Sequence, residues 1–108
     1  MERKNLQDLV SFSADGPTRA KLHGSDQLWS EVISLQQNQE TEAIEDPDSE
    51  ALFVVIAGEV VIYVDRSYKR LRHWDSTLAP AGAEVVIKNA SGEPAIILVV
   101  ASSSPASD

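Results

Sequence analysis

The chain contains no cysteine. That absence excludes a disulfide framework, a thiolate metal site and a thiol nucleophile. Histidine is nearly absent too, with His23 and His73 the only imidazoles. No apolar run approaches the roughly 20 residues that span a bilayer, so no membrane partner is expected. The first residues lead into no long apolar segment; no secretory signal is visible, and a cytoplasmic location is the default expectation. A glycine-rich phosphate loop and a serine nucleophile elbow are also missing, which removes most other enzyme classes. Positive charge is scarce. No Lys or Arg occurs between Lys21 and Arg66, and the net charge of −8 argues against affinity for nucleic acid, which rests on neutralising phosphates.

What is present suits one small domain. The 108 residues are 43% hydrophobic, enough to build a core rather than remain disordered. Acidic residues gather at Glu40, Glu42, Glu45, Asp46, Asp48 and Glu50, and basic ones at Arg66, Lys69, Arg70 and Arg72. Such runs are read either as two solvated faces or as complementary surfaces in an oligomer.

Taken in order, residues 1–15 form a polar N-terminal arm. Leu6, Leu9 and Val10 stand at helical spacing within it, which leaves a short helix and an extended arm both open. Asp15-Gly16-Pro17 is a turn signal. Arg19 to His23 alternates weakly as a short strand, and Leu28 to Leu35 has the β-branched and aromatic content of another. Gln36 to Ser49 reads mostly as loop with one edge strand. A hairpin is expected from Leu52 to Val64, turned at Ala57-Gly58. Short strands follow at Tyr68 to Leu71, Thr77 to Ala79 and Glu84 to Lys88. The turn Asn89-Ala90-Ser91-Gly92-Glu93-Pro94 precedes a last strand, Ala95 to Val100. A glycosylation pattern at Asn89-Ala90-Ser91 is read as turn only. Residues 102–108 are a low-complexity tail expected to be disordered.

Many short strands with turn residues between them and almost no helix signal point to an all-β sandwich or barrel over 16–101. The runs at 52–56, 60–64 and 95–100 do not alternate, so they carry apolar side chains on both faces. One face fills the interior. The other predicts a homodimer formed by packing sheets, unless loops or the arm cover it. Replacing Val54 or Ile62 with a charged residue is then expected to disturb the dimer more than the barrel.

Two spacings connect these strands to a known family. Trp74, Pro80, Gly82, Val85 and Asn89 follow the spacing G-x5-P-x-G-x2-H-x3-N, with Trp74 in the first glycine position and Val85 in place of the histidine. Gly58 fits the end of G-x5-H-x-H-x3or4-E-x6-G, which sets Ala51 at the glutamate. A gap of four puts Ile44 and Asp46 at the two histidines; a gap of three puts Glu45 and Pro47 there. The arrangement resembles the small single-domain cupins, and the resemblance covers about Leu28 to Val100. It implies an all-β, double-stranded β-helix, a jelly-roll barrel.

The resemblance also implies a divalent metal held by imidazoles and a carboxylate, and here this chain departs from it. Ala51 and Val85 have no lone pair to give, so no metal and no cofactor are expected. The barrel interior is expected to form a pocket for a small, partly apolar molecule, lined by Trp29, Ala51, Phe53, Val55, Tyr63 and Val85 with His23 nearby. Gly82 is expected to allow strands a tight approach. The leading expectation is a metal-free cupin that binds such a ligand or acts as a structural dimer. Two enzymatic alternatives stand beside it. One is a metal-independent isomerase or epimerase with His23 as base and Tyr63 or Tyr68 as acid. The other is a dioxygenase or isomerase with metal held by Asp46, Glu50 and His23.

Overall fold

The computed structural model describes residues 1–102. It consists of eight strands: β1 (Thr18–Gly24), β2 (Leu28–Leu35), β3 (Ala51–Ala57), β4 (Glu59–Val64), β5 (Ser67–Arg72), β6 (Ser76–Ala79), β7 (Val85–Lys88) and β8 (Ala95–Ser102). They form a five-stranded sheet in the order β1-β2-β8-β3-β6 and a three-stranded sheet in the order β5-β4-β7, with every pairing antiparallel. Ser102 closes β8, and residues 103–108 of the expected tail lie outside the described residues. No helix is long and apolar enough to cross a membrane among the described residues.

Strand parity builds the core. Along β8, Ala95, Ile97, Val99 and Ala101 are buried while Ile96, Leu98, Val100 and Ser102 are only half-buried, the period of two that a pleated strand imposes. β3 turns Phe53 and Val55 inward, and β4 turns Val60 and Ile62 to meet them across the sandwich. Each such side chain contributes about 1.5–3 kcal/mol through removal from water. Ile62 is therefore a core residue, and a charge there breaks the barrel rather than a dimer.

The hairpin expected from Leu52 to Val64 does not form. β3 pairs with β6 and β8, β4 with β5 and β7, and no ladder joins β3 to β4. One residue, Gly58, separates them, and a hairpin turn needs at least two. Gly58 sits at φ +80 against the Pro94 carbonyl and Ala95, and there the chain passes from one sheet to the other. The hairpin in this region is β4–β5, joined by Asp65-Arg66 with Asp65 at φ 53.

Between β2 and β3 the acidic segment makes only two isolated bridges, Glu40 with Lys88 and Ile44 with Val85. These lay it beside β7 at the border of the smaller sheet. Within the arm, Leu6–Leu9 is one 3-10 turn, started by the Asn5 side chain accepting from the Gln7 backbone N–H at 2.8 Å. The arm then crosses the outer face of the larger sheet. There the Ser11 N–H donates to Ser34 Oγ at 3.4 Å, and Val32 and Ser34 are fully buried. The outer face of β8, β3 and β6 stays open: Leu52 and Leu78 are exposed, and Val54, Leu98 and Val100 are half-buried.

Candidate functional site

The two spacings meet at one end of the barrel. Ile44 and Asp46 stand on the segment bridged to β7, Ala51 opens β3, and Val85 opens β7. All four line one cavity, whereas Glu45 and Pro47 are exposed. The four-residue gap is thus the one that the fold adopts. Backbone bonds fix the arrangement. Ile44 and Val85 exchange both N–H to carbonyl bonds, at 2.7 and 2.9 Å, and the Gly82 N–H donates to the Asp46 carbonyl at 2.9 Å.

The cavity measures about 20 Å³. Room for one water takes about 10–15 Å³ on this measure, so the space is a void that admits about one water and no larger molecule. Trp29, Phe53 and Val99 press in from the larger sheet, and Ala79 and Ala83 close the side towards the Pro80 turn. Among the candidate pocket residues, Trp29, Ala51, Phe53 and Val85 line this void.

Three candidates lie elsewhere. Val55 is buried in the core two residues further along β3, outside the cavity lining. Tyr63 points the other way, because Val60, Ile62 and Val64 take the inward positions of β4 and parity leaves Tyr63 outside. Its ring packs against Tyr68 at a centroid distance of 5.7 Å on the outer face of the smaller sheet. His23 sits on β1, the border strand of the larger sheet, beside an irregularity in the β1–β2 register. Its backbone N–H donates to Ser30 Oγ at 3.0 Å, and its carbonyl accepts from the same hydroxyl at 3.1 Å. His23 and the two tyrosines therefore belong to different sheets and share no cavity, so the acid–base pair is not assembled.

The donors at the void do not fit a divalent metal. Ile44, Ala51 and Val85 offer none, and Ser49 offers a hydroxyl. The one carboxylate is committed to its own turn, where Asp46 Oδ1 accepts from the Asp48 N–H at 2.9 Å. Glu50 is exposed, and its carbonyl accepts from the Ser102 N–H at 3.2 Å. Among the described residues, every buried side-chain nitrogen and oxygen has a hydrogen-bond partner, so none waits there for a ligand atom.

The remaining positions of the second spacing serve structure. Asn89 is 0% exposed and uses all its bonding capacity. Its Nδ2 donates to the carbonyls of Leu35 and Glu93, at 3.1 and 2.7 Å, and its Oδ1 accepts from the Ser91 N–H and hydroxyl. Gly82 has φ +84, but a Cβ there would meet nothing within 4 Å, so backbone conformation rather than a tight strand approach selects glycine. At the first glycine position, Trp74 holds φ +77 with its indole in solvent and the His73 ring 5.9 Å away. The sequence gives no sign of that conformation apart from the glycine that the spacing calls for.

A larger cleft of about 520 Å³ lies between the Ala14–Pro17 turn and residues 39–42. It is open and polar. Its cation, Arg19, is engaged with the carboxylate of buried Glu31 through Nε, at 3.1 and 3.0 Å, and through a terminal guanidinium nitrogen.

No family model matches the chain, and no curated protein does. Solved structures do. TT1209 from Thermus thermophilus is 27% identical over 97% of this chain and 100% of its own, with a TM-score of 0.89. An uncharacterised conserved protein with a double-stranded β-helix domain from Klebsiella pneumoniae is 20% identical over 99% of this chain and 94% of its own, also at 0.89. An RmlC-like cupin from Shewanella frigidimarina is 20% identical over 84% of this chain and 79% of its own, at 0.73.

Proposed function

We propose that this chain, a small cupin domain built as a double-stranded β-helix, works without metal and without turnover, as a module that pairs with a second copy of itself. The observation that carries the reading is the filled barrel. Where a ligand and its metal would sit, aliphatic side chains leave about 20 Å³. A molecule inside would have to displace packed side chains such as Trp29 and Phe53. What remains for function is the surface.

The surface best suited to self-association is the outer face of β8, β3 and β6. It carries Leu52, Val54, Leu98, Val100 and Leu78 and no charged residue. The arm covers the β1–β2 half of the same sheet and stops short of this half. A two-fold contact sets a patch against its own copy. In a chain of net charge −8, most surfaces repel their copies, and an uncharged aliphatic face is one that does not.

Light scattering behind size exclusion tests the pairing. The wild type is expected at twice the 11.7 kDa chain mass. Val54→Asp is expected at the single-chain mass with an unchanged circular dichroism spectrum, because a buried interface position costs about 2 kcal/mol or more. A wild-type monomer at about 100 μM, weaker than any micromolar dimer, sinks the reading. Metal content measured on tag-free protein is the second check, and close to one equivalent of a transition metal also sinks it.

A further inference from the structure

Beside the filled end, along the edge formed by β5 and β6, the two sheets do not close on each other. β5 ends the smaller sheet, β6 ends the larger, and no ladder joins them. Between them lies a slot of about 140 Å³. Ile62 and Val64 form its floor, Tyr68 and Leu78 its lips, and Lys69, Ser67 and Thr77 supply its polar groups. Parity explains this mix. On β5, Ser67 and Lys69 face the same side as core residue Leu71, so a lysine looks into the mouth of an apolar sandwich.

We infer that this slot binds a short-chain aliphatic monocarboxylate, with the alkyl chain between Ile62, Val64 and Leu78 and the carboxylate on the Lys69 ammonium. Three observations converge on that class. The walls are aliphatic, so the ligand has an apolar part. Among the described residues Lys69 has no ion pair and the Ser67 and Thr77 hydroxyls make no hydrogen bond, which leaves a cation and two donors for an anionic head. The slot is well below the roughly 300–1,000 Å³ of pockets for drug-sized molecules, which suits a chain of about four or five carbons. Arg66 precedes Ser67 in the β4–β5 turn, and Arg70 and Arg72 stand on the outer face of the same strand, where Arg70 pairs with Glu59 at 2.7 Å. Their field draws anions to this edge of an otherwise acidic protein. The inference does not rest on the pairing of two copies.

The test is a titration of the full chain with sodium valerate, followed by ¹H–¹⁵N correlation spectra. Saturable shifts are expected at residues 62–64, 67–69 and 77–78, with half-saturation near about 1–10 mM, the range for a ligand of roughly seven heavy atoms. Lys69→Met keeps the aliphatic stem and is expected to bind at least about tenfold more weakly, because a charge-assisted bond is lost. Lys69→Gln serves in its place should the methionine variant fail to fold. Pentan-1-ol and n-pentylamine, of the same length, are expected to give no saturation. Absent or unsaturable shifts with valerate, shifts confined to other residues, equal affinity in the Lys69 variant, or equal binding of the amine each overturns the inference.

Discussion

Replacing Trp74 with glycine should make this protein more stable, although it deletes the largest side chain available. Trp74 stands at φ +77, where an L side chain costs about 1–2 kcal/mol and glycine costs nothing. The conformation persists because the flanking ladder dictates it. The Trp74 N–H donates to the Val55 carbonyl at 2.8 Å, and the Val55 N–H donates to the Asp75 carbonyl at 2.9 Å. Against the gain stands the side chain's own contribution. The residue is 76% exposed, so it buries about a quarter of its surface relative to an extended chain. Realistic unfolded chains already bury about 10–40%, so that contribution is close to zero. Glycine also loosens the unfolded chain, at a cost of about 0.5–1 kcal/mol. The balance is a stabilisation of about 0.5–1 kcal/mol, or about 3–6 °C in Tm for a domain near 100 residues. Trp74→Ala removes the indole and keeps the strained φ, so it should stay within about 0.5 kcal/mol of wild type. Urea unfolding followed by far-UV circular dichroism, at one fixed protein concentration, measures all three proteins. A glycine variant less stable than wild type would show that the indole makes stabilising contacts in the folded protein. Equal stability of the glycine and alanine variants would show that the strain only matches glycine's entropic cost of about 0.5–1 kcal/mol, below the magnitude argued from φ.

Other substitutions separate the roles of neighbouring residues. Gly58→Ala combines the left-handed φ with a Cβ that overlaps the Pro94 carbonyl oxygen and lies 2.9 Å from Ala95 Cα, so a loss above about 2 kcal/mol is expected in urea unfolding. Gly82→Ala meets open space and should lose only the left-handed strain less the entropy regained in the unfolded chain, about 0.5–1 kcal/mol. Asn89→Ala leaves the Leu35 and Glu93 carbonyls without their side-chain donor and should cost about 2–4 kcal/mol, read from the same curves. Ile62→Lys should give an unfolded spectrum at 25 °C, since it puts a charge into the core with the like-charged Lys69 as its cross-strand partner.

The strands themselves were legible because composition and turn residues speak locally. Leu28–Leu35 carries its β-branched and aromatic pattern from end to end, and Asn89 to Pro94 announces a break before β8. Which strand pairs with which was not legible. Gly58 gives the same local signal whether the chain folds back on itself or crosses to another sheet. That choice is made by Pro94 and Ala95, some 36 residues away, against which only a glycine fits. The same limit governs the site. The spacing located Ala51 and Val85, and the bridge between Ile44 and Val85 was needed to choose between two gaps. Tyr63 was misplaced because the inward parity of β4 is set only once β4 leaves the hairpin and joins the second sheet. The slot at Lys69 carries no motif. It exists because β5 and β6 are both border strands, a property of topology rather than of any short stretch.

The position of β8 has a consequence for how the molecule comes into being. The last of the eight strands in sequence lies between β2 and β3, bonded to both, from Leu28↔Ser102 to Leu35↔Ala95 on one side and from Ala51↔Ala101 to Ala57↔Ile96 on the other. During synthesis the strand that unites the larger sheet emerges after both of its neighbours. Until then β2 and β3 wait with unsatisfied borders, in the state in which nascent β proteins are most prone to join strangers. The pairs that β8 makes close loops of about 40 residues or more, so assembly is slow on the scale of small domains, and the larger sheet is complete only once β8 arrives. The stretch between β2 and β3, Glu40 to Glu50, carries six carboxylates and no cation, charge of the kind that opposes such joining.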